Sequence, residues 1–216
     1  MNVFKKNEID DVSIVKQHER KELPHFKIGN SFGGNQNWFR DRFMKMGGCA
    51  AATACDTCIN MALYNNKIHL YPYDIQKLNQ DDYIKFSMIM KPFLTPRLQG
   101  IDTLKLFIDG FYKYLQEVDE KNIQLVDYSG DMSEKNAIVE VKSQIDHGIA
   151  IPFLLLRHKN YNFKHFTWHW FLIVGYEEFE NEFLVKIATY GEFYWLSFHE
   201  LWATGFKKKG GMILVR

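Results

Sequence analysis

The feature that most constrains this chain is a pair of glycines, Gly47 and Gly48, followed at once by Cys49 and an alanine-rich run. Alanine is the strongest helix former, and neither Gly nor Pro interrupts residues 49–64. The pattern predicts a helix of roughly four turns that begins at Cys49. In the first turn of a helix, free N–H groups and the positive end of the dipole favour a thiolate. Cys49 is therefore a candidate nucleophile, and the alternative is a small buried thiol that only packs.

The composition favours one domain with a large apolar core. Of the 216 residues, 46% are hydrophobic, and the formal net charge of +1 gives no strong field toward nucleic acid. Three cysteines are too few for a disulfide framework, and their number is odd. The amino-terminal residues lack the apolar core of a signal peptide, and no apolar run reaches ~18 residues. We therefore expect a cytoplasmic chain without membrane insertion or a nucleic-acid partner, and the oligomeric state stays open.

The order of predicted elements indicates an α+β fold, with a helical first half packed on an antiparallel second half. We interpret residues 1–30 as an arm with a short strand at Val12–Val15, and residues 31–216 as a single domain. Pro152 predicts an edge or a bulge for its strand. Periodicity and caps predict helices over 49–64, 81–90, 102–117, 131–148 and 197–202, and strands over 123–126, 149–156, 168–176, 183–190, 193–196 and 211–215.

A thiol nucleophile needs a base, and His169 is the candidate among eight histidines. The other histidines mostly lie in polar stretches and are predicted to be at the surface. His169 instead begins a strongly apolar strand between two tryptophans, where a strand start can present an imidazole to a cleft. The alternative is a core histidine whose ring is satisfied by a backbone carbonyl.

These stretches resemble papain-like cysteine peptidases. His169, an apolar run and then Gly175-Tyr176 resemble the histidine strand of that family. The Gly47-Gly48-Cys49 sequence resembles its cysteine at a helix start. Gln36, in a glycine-rich loop, resembles the glutamine that helps to form its oxyanion hole. The order of elements is most similar to the bacterial C39-like branch, which is related to the peptidase domains of bacteriocin exporters, and the resemblance covers roughly residues 31–216.

The resemblance implies a papain-like fold and a thiol chemistry that requires neither a metal nor another cofactor. The family has an Asn or Asp on the strand after the histidine, which orients the imidazole. Here that position falls at Ala188 or Thr189, and only the threonine could accept a weak hydrogen bond from the ring. The predicted site is therefore Cys49, His169, Gln36 and Thr189.

The resemblance leaves three functions open. The first is a cysteine peptidase or other thiol-dependent hydrolase that acts on a peptide or a small acyl substrate. The second is an acyltransferase of a biosynthetic pathway that uses the same two residues. The third is a non-catalytic protein that binds a peptide or small molecule, in which the missing Asn or Asp marks lost catalysis.

Two other patterns have a structural and a functional interpretation. Cys55 and Cys58 form a CxxC, but no second ligand pair accompanies it, so packing is favoured over zinc or redox chemistry. Asp56 is predicted to be a solvated or capping carboxylate. The basic loop over 157–165 either is a solvated loop or steers an acidic substrate, and the lysines at 207–209 indicate a solvated turn.

Overall fold

An antiparallel sheet of seven strands is central to residues 18–97 and 100–216, which the computed structural model describes. The strand predicted at Val12–Val15 lies outside these residues. The strand order is β4-β9-β5-β6-β7-β8, and β1 pairs with β6 beside β5. The strands are β1 (Glu19–Glu22), β4 (Leu125–Ser129), β5 (Ile151–Leu155), β6 (His169–Phe179), β7 (Glu182–Thr189), β8 (Glu192–Ser197) and β9 (Gly211–Val215), with β2 (Lys27–Ile28) and β3 (Ser31–Phe32) as a separate pair.

Six α-helices accompany the sheet in the described part of the chain, so the α+β class predicted from the sequence is confirmed. The helix predicted to begin at Cys49 is present and ends at Tyr64, as the sequence indicates. Among the described residues, no helix combines the length and the apolar character that crossing a membrane requires. The helices are α1 (Arg42–Gly47), α2 (Cys49–Tyr64), α3 (Gln80–Met90), α4 (Leu104–Glu117), α5 (Glu134–Asp146) and α6 (Phe198–Trp202).

The sheet has an apolar core on each face, because alternate residues of its central strands point to opposite sides. Leu154 and Trp170 belong to the core shared with α2, α3 and α4, where the Trp170 and Phe107 rings stack with centroids 4.3 Å apart. The neighbouring residues Phe153 and Phe171 belong to the second core, shared with α5 and α6. Helix α2 is thus held between the sheet and the other helices, and most of its residues are buried.

Gly48 is needed where α1 passes directly into α2. Helix α1 ends at Gly47, and Gly48 is the single residue before Cys49. A Cβ at Gly48 would lie 2.4 Å from the carbonyl oxygen of Met44, so a side chain there would force the two helices apart. Gly48 therefore fixes where α2 starts and which residue occupies its first turn.

The Gly175-Tyr176 pair has a packing explanation in β1. Gly175 lies beside a register shift of the β6–β7 ladder, and a Cβ there would be 2.8 Å from the Lys21 carbonyl oxygen. The Tyr176 hydroxyl donates to Glu19 over 2.8 Å. Residues 19–22, within the predicted arm, thus form a strand of the sheet, and Phe26 beyond them is buried in the core.

Two local predictions were wrong. Strand β5 lies inside the sheet, whereas Pro152 predicted an edge or bulge; its ladder with β9 covers only Phe153 and Leu154, so Pro152 has no partner there. Helix α5 begins at Glu134 rather than Asp131. The N–H of Asp131 instead binds the Ser129 hydroxyl at 3.2 Å, and this local turn competes with the helix.

Candidate active site

Cys49 and His169 line one cavity of about 1190 Å³ between the start of α2 and the start of β6. Gln36 also lines this cavity, and Thr189 lies directly behind His169. A second, small cavity of about 20 Å³ contacts all four of these residues and admits about one water molecule. The four residues predicted from the sequence are therefore neighbours around one space.

The thiol of Cys49 lies in the first turn of α2, buried and close to several backbone N–H groups. Burial raises the pKa of the thiol, while the N–H groups of Trp170, Ala50 and Cys49 itself act in the opposite direction. Because the N–H of Trp170 belongs to the residue after His169, the sulfur faces the beginning of β6. Burial prevails, so the resting thiol is protonated at neutral pH.

The imidazole of His169 is oriented by Thr189, the last residue of β7. Nε2 of the ring lies 2.6 Å from the Thr189 hydroxyl oxygen. Burial lowers the pKa of His169 to about 3, so the ring is neutral at physiological pH. When Nε2 carries the proton and donates to Thr189, Nδ1 has a free lone pair and is the basic nitrogen.

Tyr190 covers one face of this imidazole and was not predicted from the sequence. The two rings stack with centroids 4.4 Å apart and planes 6° apart. The tyrosine hydroxyl lies 3.2 Å from Nδ1. Since the rings are parallel, the hydroxyl sits above the imidazole plane, and the in-plane lone pair of Nδ1 stays available to a group in the cavity.

The backbone holds Tyr190 in a strained position. Tyr190 and Gly191 form the two-residue turn between β7 and β8, with φ of 53° and 79°. Such turns favour Asn-Gly, and a tyrosine at the first position is costly. The Asn35 amide donates to the Tyr190 carbonyl over 2.7 Å and ties the turn to the glycine-rich loop. Turn chemistry could have located this strain, but only the fold shows the ring over His169.

No hydrogen bond joins Cys49 to His169 within the described part of the chain, although both face the same two cavities. Catalytic hydrogen bonds are often long without substrate and tighten when it binds. Each group has its own neighbours: backbone N–H groups for the sulfur, and Thr189 with Tyr190 for the ring. The arrangement juxtaposes a neutral thiol and a neutral imidazole.

Gln36 lies in a short 3-10 helix, Gln36–Trp38, directly after the glycine-rich loop. Its Nε2 donates to the carbonyl of Lys45 over 2.9 Å, which fixes the direction of the amide group. An amide nitrogen has two hydrogens, so one remains for a group in the cavity. Its Oε1 is buried with no hydrogen-bond partner among the described atoms.

Asp56 is buried about two turns beyond Cys49 on α2, so the prediction of a solvated or capping carboxylate was wrong. Its Oδ1 accepts from the Tyr83 hydroxyl at 2.8 Å, and its Oδ2 accepts from the N–H of Gly34 at 3.2 Å. Burial raises the pKa of this carboxyl to about 7, although both hydrogen bonds oppose the rise. Asp56 thereby attaches the glycine-rich loop to the middle of α2.

His25 is a second buried histidine, in contrast to the predicted surface position. Its Nδ1 accepts from the Asn60 amide at 3.1 Å, and its Nε2 has no hydrogen-bond partner in the described structure. Burial lowers the pKa of His25 to about 4. His25 is buried because Phe26 and Ile28 pack the arm onto the core. The charged and polar residues around His25 in the sequence do not indicate this packing.

Cys55 and Cys58 are both fully buried in the apolar core of α2. Burial raises the pKa of each thiol well above its usual value. Residues 18–97 and 100–216 hold no group of three or more His, Cys, Asp or Glu side chains with the geometry of a metal site. The packing interpretation of the CxxC accounts for both residues.

The predicted basic loop contains a 3-10 helix over Tyr161–Phe166. Arg157, the first residue of the predicted loop, lines the large cavity, as do Lys207 and Lys208 of the predicted solvated turn. These cations therefore belong to the surroundings of Cys49.

Comparisons of the chain with protein-family models, with curated proteins and with solved structures find no match.

Proposed function

We propose that this protein is a thiol-dependent hydrolase or acyltransferase with a papain-like arrangement, in which Cys49 is the nucleophile and His169 the base. The observation behind the proposal is that both side chains line one cavity, with the imidazole oriented from behind by Thr189 at 2.6 Å. A cysteine at a helix start beside an oriented histidine is the usual arrangement for nucleophilic thiol catalysis. The substrate in this proposal is a peptide or a small acyl compound.

The chemistry needs only these groups. The sulfur of Cys49 attacks the carbonyl carbon as its proton passes to Nδ1 of His169. The negative oxygen of the tetrahedral intermediate accepts from the Cys49 backbone N–H and the free amide hydrogen of Gln36. The intermediate collapses, His169 returns the proton to the leaving group, and an acyl thioester remains on Cys49. Water or another nucleophile, deprotonated by His169, then attacks the thioester and releases the acyl group, and the protonated imidazole returns its proton to the sulfur of Cys49.

The neutral resting state fits this mechanism. Burial raises the pKa of Cys49 and lowers that of His169. Both effects favour the uncharged pair over a thiolate–imidazolium pair. Proton transfer therefore accompanies the attack on the carbonyl, and a substrate that excludes water from the cavity strengthens the oxyanion contacts.

A non-catalytic binding protein is the second candidate, favoured by two observations. The thiol and the imidazole share no hydrogen bond among the described contacts, and Ala188 and Thr189 offer the ring neither an acid nor an amide. In that function the cavity binds an intact ligand and Cys49 only lines it.

Incubation with 4-nitrophenyl acetate separates the two functions. The hydrolase proposal predicts a burst of nitrophenol and a transient acetyl group on Cys49, located by mass spectrometry of acid-quenched samples. Cys49→Ala should abolish the burst, and Cys58→Ala, which changes a buried thiol of the same helix, should retain it. A burst that survives in Cys49→Ala, or a Cys49 that never carries the acetyl group, favours the binding protein.

A further inference from the structure

The cavity that contains Cys49 has a surplus of positive charge. Its only described acidic side chain, Asp102, is already paired, because Nζ of Lys208 lies 2.9 Å from its Oδ2. The remaining cations therefore have no carboxylate in the lining to neutralise them. The basic side chains of the lining are Arg97, Arg157, Lys207 and Lys208.

Arg157 is held at the mouth of the cavity by aromatic rings. Its guanidinium carbon lies 5.4 Å from the ring centroid of Trp168 and 6.0 Å from that of Phe206. No ion pair involves Arg157 within residues 18–97 and 100–216. A guanidinium placed on aromatic faces keeps its hydrogen-bond fork free, and that fork matches a carboxylate or a phosphate.

Trp168 gives this arrangement a fixed place next to the base. It directly precedes His169, and its φ of 54° is a left-handed conformation that a bulky residue rarely adopts. Its N–H donates to the Leu156 carbonyl at 2.9 Å, and 46% of the residue is exposed. The strained backbone thus keeps a large ring at the cavity mouth, where it supports Arg157, instead of in the core.

Large apolar side chains also line the cavity. Phe43 and Met46 of α1 line it and are 63% and 70% exposed, unusually high for large apolar side chains. Pro96 also lines the cavity. A ligand in the cavity therefore meets apolar side chains as well as cations.

We propose that the substrate of this site is an acyl compound that carries an anionic group, a carboxylate or a phosphate, bound by Arg157 with Lys207. Its apolar part lies against Phe43 and Met46, and its carbonyl is at Cys49. This inference rests on the proposed function, since it assigns the chemical class of the substrate to the same cavity.

Matched alkylating reagents test the charge preference. The probes are N-bromoacetyl amino-alkanoic acids of increasing chain length and their neutral amides, with N-bromoacetyl-phosphoethanolamine and N-bromoacetyl-ethanolamine as the phosphate pair. Labelling of Cys49 by the anionic member should be about fivefold faster than by the neutral member, and salt should reduce the ratio. The larger of the carboxylate and phosphate ratios identifies the source of the anion.

Arg157→Gln should bring the ratio of anionic to neutral labelling rates close to one. The control is Lys209→Gln, which removes one positive charge next to the lining residues Lys207 and Lys208 but does not itself line the cavity, and it should preserve the ratio. Equal rates for both members in the parent protein, or a ratio that Arg157→Gln does not change, would overturn the inference.

Calorimetric titration of Cys49→Ala with the unreactive N-acetyl analogues separates this inference from the proposed function. An anion preference that requires Arg157 in this variant supports the anion site even if Cys49 of the parent forms no acyl thioester. In that case the hydrolase proposal fails and the anion site stands. The absence of any preference overturns the anion site, whatever the reactivity of Cys49.

Discussion

The first turn and the middle of α2 differ in what surrounds their polar groups. Cys49 has backbone N–H groups beside its sulfur and an open cavity in front of it. Asp56 is enclosed by the Tyr83 hydroxyl and the N–H of Gly34, while Cys55 and Cys58 contact only the core. The same helix thus presents one thiol to the large cavity, while its middle, residues 55–58, forms a sealed region in which only Asp56 reaches the small cavity of about 20 Å³.

The two regions are connected by the glycine-rich loop. Gly34 binds Asp56 in the middle of the helix, and Gln36, two residues later, reaches the cavity of Cys49. The loop also binds the turn of Tyr190 through Asn35. We infer that the sealed region positions the loop and that the loop positions the groups around the Cys49 thiol.

The largest effect is expected from Gly34→Ala. The new Cβ would lie 1.9 Å from the ring and hydroxyl of Tyr83, which is fully buried and bound to Asp56 and cannot move aside. The free energy of unfolding should fall by about 3 kcal/mol or more. Urea denaturation measures this, with Gly47→Ala as the control because its Cβ would meet Pro96 at 3.4 Å. If the free energy of unfolding falls no more in Gly34→Ala than in Gly47→Ala, the close packing of Gly34 against Tyr83 does not hold the loop in place.

Thiol labelling compares the two regions directly. Brief treatment with iodoacetamide at neutral pH should label Cys49 roughly a hundredfold faster than Cys55 or Cys58, because the core thiols react only after the helix opens. Peptide mapping by mass spectrometry gives the three rates. Faster labelling of Cys55 or Cys58 would reverse the assignment of accessible and sealed positions.

The pH dependence of stability isolates Asp56. Its pKa is raised to about 7 in the folded protein, above the unfolded value, so the protonated group favours folding at low pH. That contribution is complete below about pH 4 and is lost as the pH rises through about 7. Asp56→Asn should remove this loss. The free energy of unfolding of the variant minus that of the parent should therefore be larger at pH 8 than at pH 4, by on the order of 2 kcal/mol.

Urea denaturation at several pH values measures this difference, and the exposed Asp109 supplies the matched control, Asp109→Asn. The buried histidines His25 and His169 have lowered pKa values, so their contribution to the free energy of unfolding falls as the pH drops below about 6.5. Both histidines are present in the variant and in the parent, so this contribution cancels in the difference. A constant difference between Asp56→Asn and the parent across the range would show that Asp56 does not titrate as a buried group.

The smallest effect is expected at Thr189. Thr189→Val removes a hydrogen bond worth ~1 kcal/mol and should slow Cys49 alkylation about fivefold. Thr189→Asn supplies an amide to the ring and should raise the rate near pH 6. Thr57→Val changes a buried threonine in the sealed part of α2 and should leave the rate unaltered. Equal rates in all three variants would remove Thr189 from the site.

Local sequence signals predicted the elements that local physics controls. The limits of α2 follow from the glycine pair and from the uninterrupted run up to Tyr64, and the side chain of Ser197 caps α6 as the sequence predicts. These features depend on a few adjacent residues. The prediction that Cys49 and His169 belong to one site came instead from the resemblance of their stretches to papain-like cysteine peptidases.

The features missed by the sequence depend on contacts between distant segments. Asp56 is buried because Tyr83 and Gly34 enclose it, and His25 is buried because the arm packs on the core. Tyr190 reaches His169 only through a strained turn. Pro152 lies in an inner strand because the short β9 ladder does not extend to it. None of these contacts produces a periodicity or a local spacing in the chain.

In the proposed mechanism His169 acts on the thiol of Cys49, and pH–rate profiles of Cys49 alkylation by iodoacetamide measure this coupling. We predict that His169→Ala and the more conservative His169→Gln both slow alkylation about tenfold or more at neutral pH, since a neutral thiol then loses its proton acceptor. Above the pKa of the thiol the profiles should converge, because the thiolate no longer needs a base. Profiles that coincide with the parent over the whole pH range would show that the two residues are uncoupled and would leave a binding protein as the better description.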